Sequence, residues 1–105
     1  MFYIYFFVGI FVLQTRSYRL GIDHSNPVSV EQFKCLLAQN YTFTIIRAWR
    51  SYGAFDLNSP QTLANAMAGG FEIKDIGVYM FPCTGTRAPE EQVTEMLRQL
   101  GKSQF

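Results

Sequence analysis

Asp23 sits where acid–base chemistry is usually staged. It follows Leu20 and Ile22 in GIDHSNP and precedes the turn formers Ser25, Asn26 and Pro27. A carboxylate at a strand end can orient a substrate, stabilise charge or carry a proton. An aspartate before Ser-Asn-Pro is equally a plain turn former. Glycoside hydrolysis would need a second carboxylate, roughly 5–10 Å away. The other acids are Glu31, Asp56, Glu72, Asp75, Glu90, Glu91 and Glu95. Most belong on helix surfaces or at the opposite end of the strands. Only Asp56 falls on the side of Asp23, and no clear second catalytic acid emerges. His24 is the single histidine. It lacks the partners of a triad, so a structural role is expected. No ligand cluster for a metal is present, and no cofactor is implied.

Aromatic residues gather near the strand ends. Trp49 and Tyr52 flank a loop containing Gly53 and could stack on a sugar face. Tyr79 lies in GVYMFP at a third strand end, and Phe81 reads as core. Arg47, inside a strand, needs a buried partner; Arg50, at the loop edge, does not. Cys35 and Cys83 are the two cysteines and the disulfide candidates. Helical geometry places Cys35 about 200° from Phe33, on the outer face of its helix. A disulfide needs Cα atoms about 5.5 Å apart, which that layout does not obviously give. Asn40-Tyr41-Thr42 is a glycosylation sequon in a helix-to-strand loop.

The elements that must position these groups follow one pattern three times. A short apolar run leads into a turn, then into an amphipathic helix. The first run is Tyr18 to Asp23. Ser29 then caps a helix, with Gln32 at capping-box spacing and Val30, Phe33, Leu36 and Leu37 on one face. The second run, TFTIIRAW, is β-branched and reads as strand. RSYGAFDLNS reads as loop. Ser59 caps the next helix, with Pro60 at its first position, Leu63, Ala66 and Met67 as its stripe, and Gly69-Gly70 as its stop. The third run is Ile76 to Cys83. Pro89, Glu90 and Glu91 open the last helix, which carries Val93, Met96, Leu97 and Leu100.

The resulting order, β-α-β-α-β-α, implies an α/β fold with parallel pairing and right-handed crossovers. Three βα units cannot close a TIM-like (β/α) barrel, and a lone three-stranded sheet leaves two open edges. The expectation is an incomplete parallel β/α assembly with its chemistry at the carboxyl ends of the strands.

With 105 residues, 49% hydrophobic and 16% charged, the chain has room for one small folded domain. A net charge of +1 without a basic block argues against nucleic acid as a partner. MFYIYFFVGIFVL is apolar and too short to span a bilayer, which needs about 20 residues. It reads as a signal peptide over residues 1–17, with a domain over 18–105. The expected product is secreted and extracellular, with no membrane partner once the leader is removed.

Three segments resemble the family-25 glycoside hydrolases, especially the secreted lysozymes of invertebrates and protists. They are GIDHSNPVSVEQFKCL, TFTIIRAWRSYG with FDLNSPQTLANAMAGGF, and DIGVYMFPC. The likeness runs in order from Leu20 to Leu100. It implies a modified β/α barrel that cleaves the β-1,4 bond between N-acetylmuramic acid and N-acetylglucosamine in bacterial peptidoglycan. The family's first-strand aspartate matches Asp23 and its third-strand tyrosine matches Tyr79. Its second-strand glutamate is not matched, because IIRA runs on into Trp49 and Arg50. The Asp-x-Glu pair of its fourth strand has no counterpart among these residues. The expectation is a lysozyme-like chain that alone lacks hydrolytic activity. The alternative is an inactive peptidoglycan-binding or regulatory module.

Overall fold

The computed structural model describes residues 19–85 and 87–103. The expected leader and Tyr18 lie outside these residues. The elements are β1 (Leu20–His24), α1 (Val30–Ala38), β2 (Tyr41–Arg50), β3 (Ala54–Phe55), α2 (Ser59–Ala68), a 3-10 turn (Ile73–Asp75), β4 (Ile76–Met80) and α3 (Pro89–Lys102). Three helices and a partly parallel sheet agree with the α/β expectation.

β2 is the longest strand and the centre of the sheet. β1 runs parallel to it on one side and β4 parallel on the other. β3 was not expected; it turns back antiparallel on the end of β2, pairing Trp49 with Phe55 and Arg50 with Ala54. The segment read as loop is therefore a short hairpin. Tyr52 and Gly53 lie in its turn, Gly53 at φ 89°. That left-handed conformation suits glycine and is rare for other residues.

Register fixes which side chains share a face, because side chains alternate along a strand. Thr44, Ile46 and Ala48 are buried on one face of β2. Phe33 of α1 and Leu63 and Ala66 of α2 join Ile46 and Ala48 in one buried cluster. The two helices also touch each other through backbone. A methyl group on Gly69 would come within 2.6 Å of the Phe33 Cβ and 3.2 Å of the Val30 carbonyl oxygen. The opposite face of the sheet carries Gly21, Asp23, Phe43, Ile45, Arg47, Gly77 and Tyr79, none fully buried.

The helix boundaries follow their capping chemistry. The Ser29 hydroxyl accepts from the Gln32 N–H at 3.2 Å, and the Gln32 side chain accepts from the Ser29 N–H at 2.9 Å. This is the expected capping box. α1 ends at Ala38, and Asn40, just past its cap Gln39, takes a φ of 69°, a left-handed stop. α2 begins one residue before the sequence reading. Ser59 is its first residue rather than its cap, and the Ser59 hydroxyl donates to the Asp56 carbonyl at 2.7 Å. β4 ends at Met80, short of the expected Cys83. Phe81 still donates to the Trp49 carbonyl at 2.9 Å, but Pro82 has no N–H to continue.

Two apolar stripes are only half used. In α3, Met96 and Leu100 are buried, whereas Leu97 is 56% exposed and Val93 also faces out. In α2, Met67 is exposed and Thr62 is buried in its place. The buried face of α3 is turned toward Gln92, four residues before Met96.

Candidate active site

Asp23 lies near the carboxyl end of β1, exposed, opposite Ile45 of β2. Gly77 of β4 completes that row and adds no side chain. The next row toward the carboxyl ends pairs Arg47 with Tyr79. Asp23 and Tyr79 are thus two strands and one row apart on the same uncovered face. Strand and residue spacings put their Cα atoms roughly 12 Å apart. Ile45 and Arg47 of β2 stand between them, and Gly77 adds no side chain to the β4 end of the Asp23 row.

Arg47 occupies the middle of this arrangement and has the buried partner that the sequence demanded. Its Nε donates to Asp56 Oδ2 at 3.0 Å, and its Nη2 donates to the Ser25 carbonyl at 3.1 Å. Arg50 donates to the other Asp56 oxygen at 3.2 Å, so it too is paired, although its place at the loop edge did not require a partner. The Asn58 N–H also donates to Asp56 Oδ1, at 3.1 Å. The Asp56 side chain is 3% exposed. Asp56 is therefore a structural anion held by two guanidiniums, not a second catalytic acid. Among the described residues, the helix-free face carries Asp23 near the carboxyl ends of the strands and Asp75 at their amino ends, where Asp75 is paired with Arg19 at 2.8 Å.

His24 points the other way, into the helical layer. Its ring meets Phe33 edge-on at 5.6 Å, and its Nε2 shares a 2.8 Å hydrogen bond with the Thr44 hydroxyl. This is the structural role expected. Burial pushes the ring below its ordinary pKa of 6.5, and the Asp23 charge pulls it partly back. The folded chain then binds this proton less readily than the unfolded chain. Stability from His24 is full above about pH 6.5 and is lost as pH falls through the folded value. The melting temperature should drop on going from about pH 7.5 to about 5.5, and Asp23→Asn should steepen the drop. A melting temperature that holds or rises over this range would contradict the assignment.

The aromatics divide. Tyr52 is 68% exposed, and its hydroxyl accepts from Arg50 Nη1 at 3.3 Å. Trp49 offers no sugar platform. It is 1% exposed, and its indole N–H donates to Gln92 Oε1 at 2.9 Å. The cause is a β-bulge between Arg47 and Trp49, which turns the adjacent residues Ala48 and Trp49 both inward. Phe81, read as core, is 57% exposed.

Gln92 is the residue that sequence reasoning missed. It is fully buried, accepts from Trp49 and from the Cys83 N–H at 2.9 Å, and donates to the Cys83 carbonyl at 2.8 Å and the Arg87 carbonyl at 3.2 Å. It holds the loop after β4 against the end of β2. Its signal was position: at 100° per residue it lies about 40° from Met96, inside the buried stripe.

Cys35 is a free, exposed thiol on the outer side of α1, as the helical geometry required. It accepts from the Gln39 amide at 3.2 Å and is not joined to Cys83. Asn40 is exposed between α1 and β2. Among the described residues, no helix is long and apolar enough to cross a membrane.

A family profile described as Lysozyme-like protein 1 matches residues 14–105. The chain is 46% identical over 63 residues to the probable GH family 25 lysozyme 2 of Dictyostelium discoideum, a match that covers 60% of this chain and 29% of that protein. It is 34% identical over 80 residues to the probable GH family 25 lysozyme 4 of the same organism, covering 76% and 37%. It is 38% identical over 65 residues to the lysozyme-like protein 5 of Caenorhabditis elegans, covering 62% and 29%. The chain thus spans about a third of the length of the curated relatives it matches. No solved structure matches it.

Proposed function

The chain belongs to the lysozyme-like family of GH family 25 type, and from that premise we propose that its helix-free sheet face is part of a muramidase cleft. The substrate is bacterial peptidoglycan, and the bond is the β-1,4 link after N-acetylmuramic acid. The three parallel βα units are then a sector of a β/α barrel whose interior is this face. One observation carries the reading: Asp23 and Tyr79 share the uncovered face near the carboxyl ends of two parallel strands. Chemistry gathers at that end in barrels of this kind. Residues 1–17 act as a secretion leader, and Asn40 is the glycan acceptor of an extracellular product.

The roles follow from the chemistry. Asp23 orients the sugar or stabilises positive charge at its ring. Tyr79 presents a ring and a hydroxyl one row further toward the carboxyl ends, and Tyr52 adds an exposed ring at the rim. Hydrolysis requires a second carboxylate as proton donor. Asp56 is occupied by two arginines and does not serve. The 105 residues alone therefore hold the glycan without cutting it. The engagement of Asp56 by two arginines also favours a second reading, an inactive module that binds peptidoglycan.

The 105-residue chain should leave a suspension of bacterial walls turbid, yet be retained on insoluble peptidoglycan. Asp23→Asn should weaken retention about tenfold, as expected for one charge-assisted contact. Clearing at the rate of an active lysozyme would overturn the prediction of inactivity. Absence of retention would overturn the cleft itself.

A further inference from the structure

β4 is the outer strand of the sheet on one side. It pairs with β2 and with no other strand among the described residues. We infer that its free edge is a dimerisation surface, on which β4 of a second copy of this chain pairs antiparallel about a two-fold axis through Val78. The inference holds whether or not the sheet face is a glycan cleft.

The two outer edges of the sheet are protected differently. Charges, prolines and bulges blunt the free edges of natural sheets. β1 has such devices: Asp23 is exposed within it, Arg19 precedes it, and its register breaks between Leu20 and Gly21. β4, Ile76-Gly77-Val78-Tyr79-Met80, carries neither charge nor proline. The break in its pairing is the bulge between Arg47 and Trp49 of β2, so β4 itself runs straight through. The helix layer also stops short of it. Val78 pairs with Ile46 and faces the same side, yet Val78 is 37% exposed where Ile46 is 3% exposed.

The strand is complementary to itself. The Phe81 N–H donates to the Trp49 carbonyl, so the backbone groups of Phe81 point toward β2, as by alternation do those of Tyr79 and Gly77. Those of Ile76, Val78 and Met80 then point outward. An antiparallel neighbour bonds such residues in pairs. Centring two copies on Val78 sets Val78 opposite Val78 and Ile76 opposite Met80 on either side, with about six hydrogen bonds. The same register sets each Tyr79 opposite a Gly77, where an aromatic ring covers bare backbone. Every pair is free of like charges. A two-fold at Gly77 or Tyr79 would pair fewer residues of the strand. Tyr79 of the second copy also enters the row of Asp23, to which Gly77 adds no side chain.

The test is sedimentation of the 105-residue chain from about 5 to about 500 µM, the range in which a small interface associates. The mass should rise from monomer to dimer and stop there, since a two-fold contact closes on itself. Val78→Lys sets an ammonium against its own copy and should keep the chain monomeric throughout. Leu20→Lys, on the β1 edge and 46% exposed in the parent, should leave the dimer intact. Val78→Cys in a Cys35→Ala background should be trapped as a covalent dimer by mild oxidation, and Cys35→Ala alone should not. Opposed residues of a bonded antiparallel pair stand about 5.5 Å apart at Cα, within reach of a disulfide. A parent chain that stays monomeric overturns the inference. So does a dimer that survives Val78→Lys, or a Val78→Cys chain that does not cross-link beyond its control. Growth past the dimer, or its loss in Leu20→Lys, would mean that β1 of one copy meets β4 of the next, and overturns the two-fold. Failure of wall retention with the dimer intact would count against the cleft alone.

Discussion

Replacing Gln92 with leucine is expected to cost about 2–4 kcal/mol of folding free energy. Four hydrogen bonds converge on this one buried amide. Leucine of similar size fills the space but pairs with none of the four groups. The indole N–H of Trp49 is then left without a partner at 1% exposure. A buried donor left unsatisfied costs about 1–3 kcal/mol. The Cys83 and Arg87 backbone groups lie nearer solvent and can recover part of their loss from water. That keeps the total below four full penalties. Urea unfolding followed by circular dichroism should show a lower midpoint at unchanged slope. Gln61→Leu, on the exposed side of α2, should move the midpoint little. A Gln92→Leu midpoint equal to that of the parent would mean that the amide adds nothing.

The same residue marks where the sequence stopped being informative. The three helices were legible because their ends carry local chemistry: Ser29 with Gln32, Pro60, and Pro89 with two glutamates. Three parallel strands were legible because β-branched runs alternate with those helices. Trp49 was not, because a one-residue bulge reverses the facing of everything after it, and no local pattern announces a bulge. β3 escaped because two residues are too few to show alternation. The buried stripe of α3 is turned about 50° from the one that its apolar residues mark. Val93 and Leu97 are apolar, yet the polar Gln92 is the residue that is buried. Counting apolar residues cannot find a buried amide whose four partner groups lie on three residues outside its helix.

The site was legible in a different way. Asp23 and Tyr79 could be placed near the carboxyl ends of strands without knowing the sheet order. That they share a face depends on the register of β1 and β4 against β2. Parity within each strand leaves that register open. The need of Arg47 for a buried anion followed from its place in a strand. Identifying Asp56 as that anion required the hairpin, which folds the chain back nine residues later. An acid that looked like a possible second catalytic carboxylate is thereby explained as the centre of a clamp.

Asp56→Ala is the sharpest test of that clamp, with an expected loss of about 3 kcal/mol. The carboxylate is nearly sealed, and its removal leaves two guanidiniums facing each other without an anion. Arg47 and Arg50 are 22% and 29% exposed, so both can turn toward water, which places the loss at the low end for a broken buried pair. Asp56→Asn should lose less, since an amide oxygen can still accept from the Asn58 N–H. Backbone groups of Asp56 anchor the start of α2 and pair with Ala48, and alanine keeps those bonds. The loss therefore reports the side chain alone. The clamp also reaches the functional face, because the guanidinium that binds Asp56 donates to the Ser25 carbonyl, two residues after Asp23. With Arg47 released, the amides of Ser25, Asn26 and Val28 should exchange with deuterium faster, beyond the increase shared by the rest of the chain. Peptidoglycan retention should weaken with them. Uniform acceleration throughout the chain would mean that Asp56 stabilises the fold without positioning Asp23. An unchanged exchange pattern together with an unchanged unfolding midpoint would mean that the two arginines do not need it.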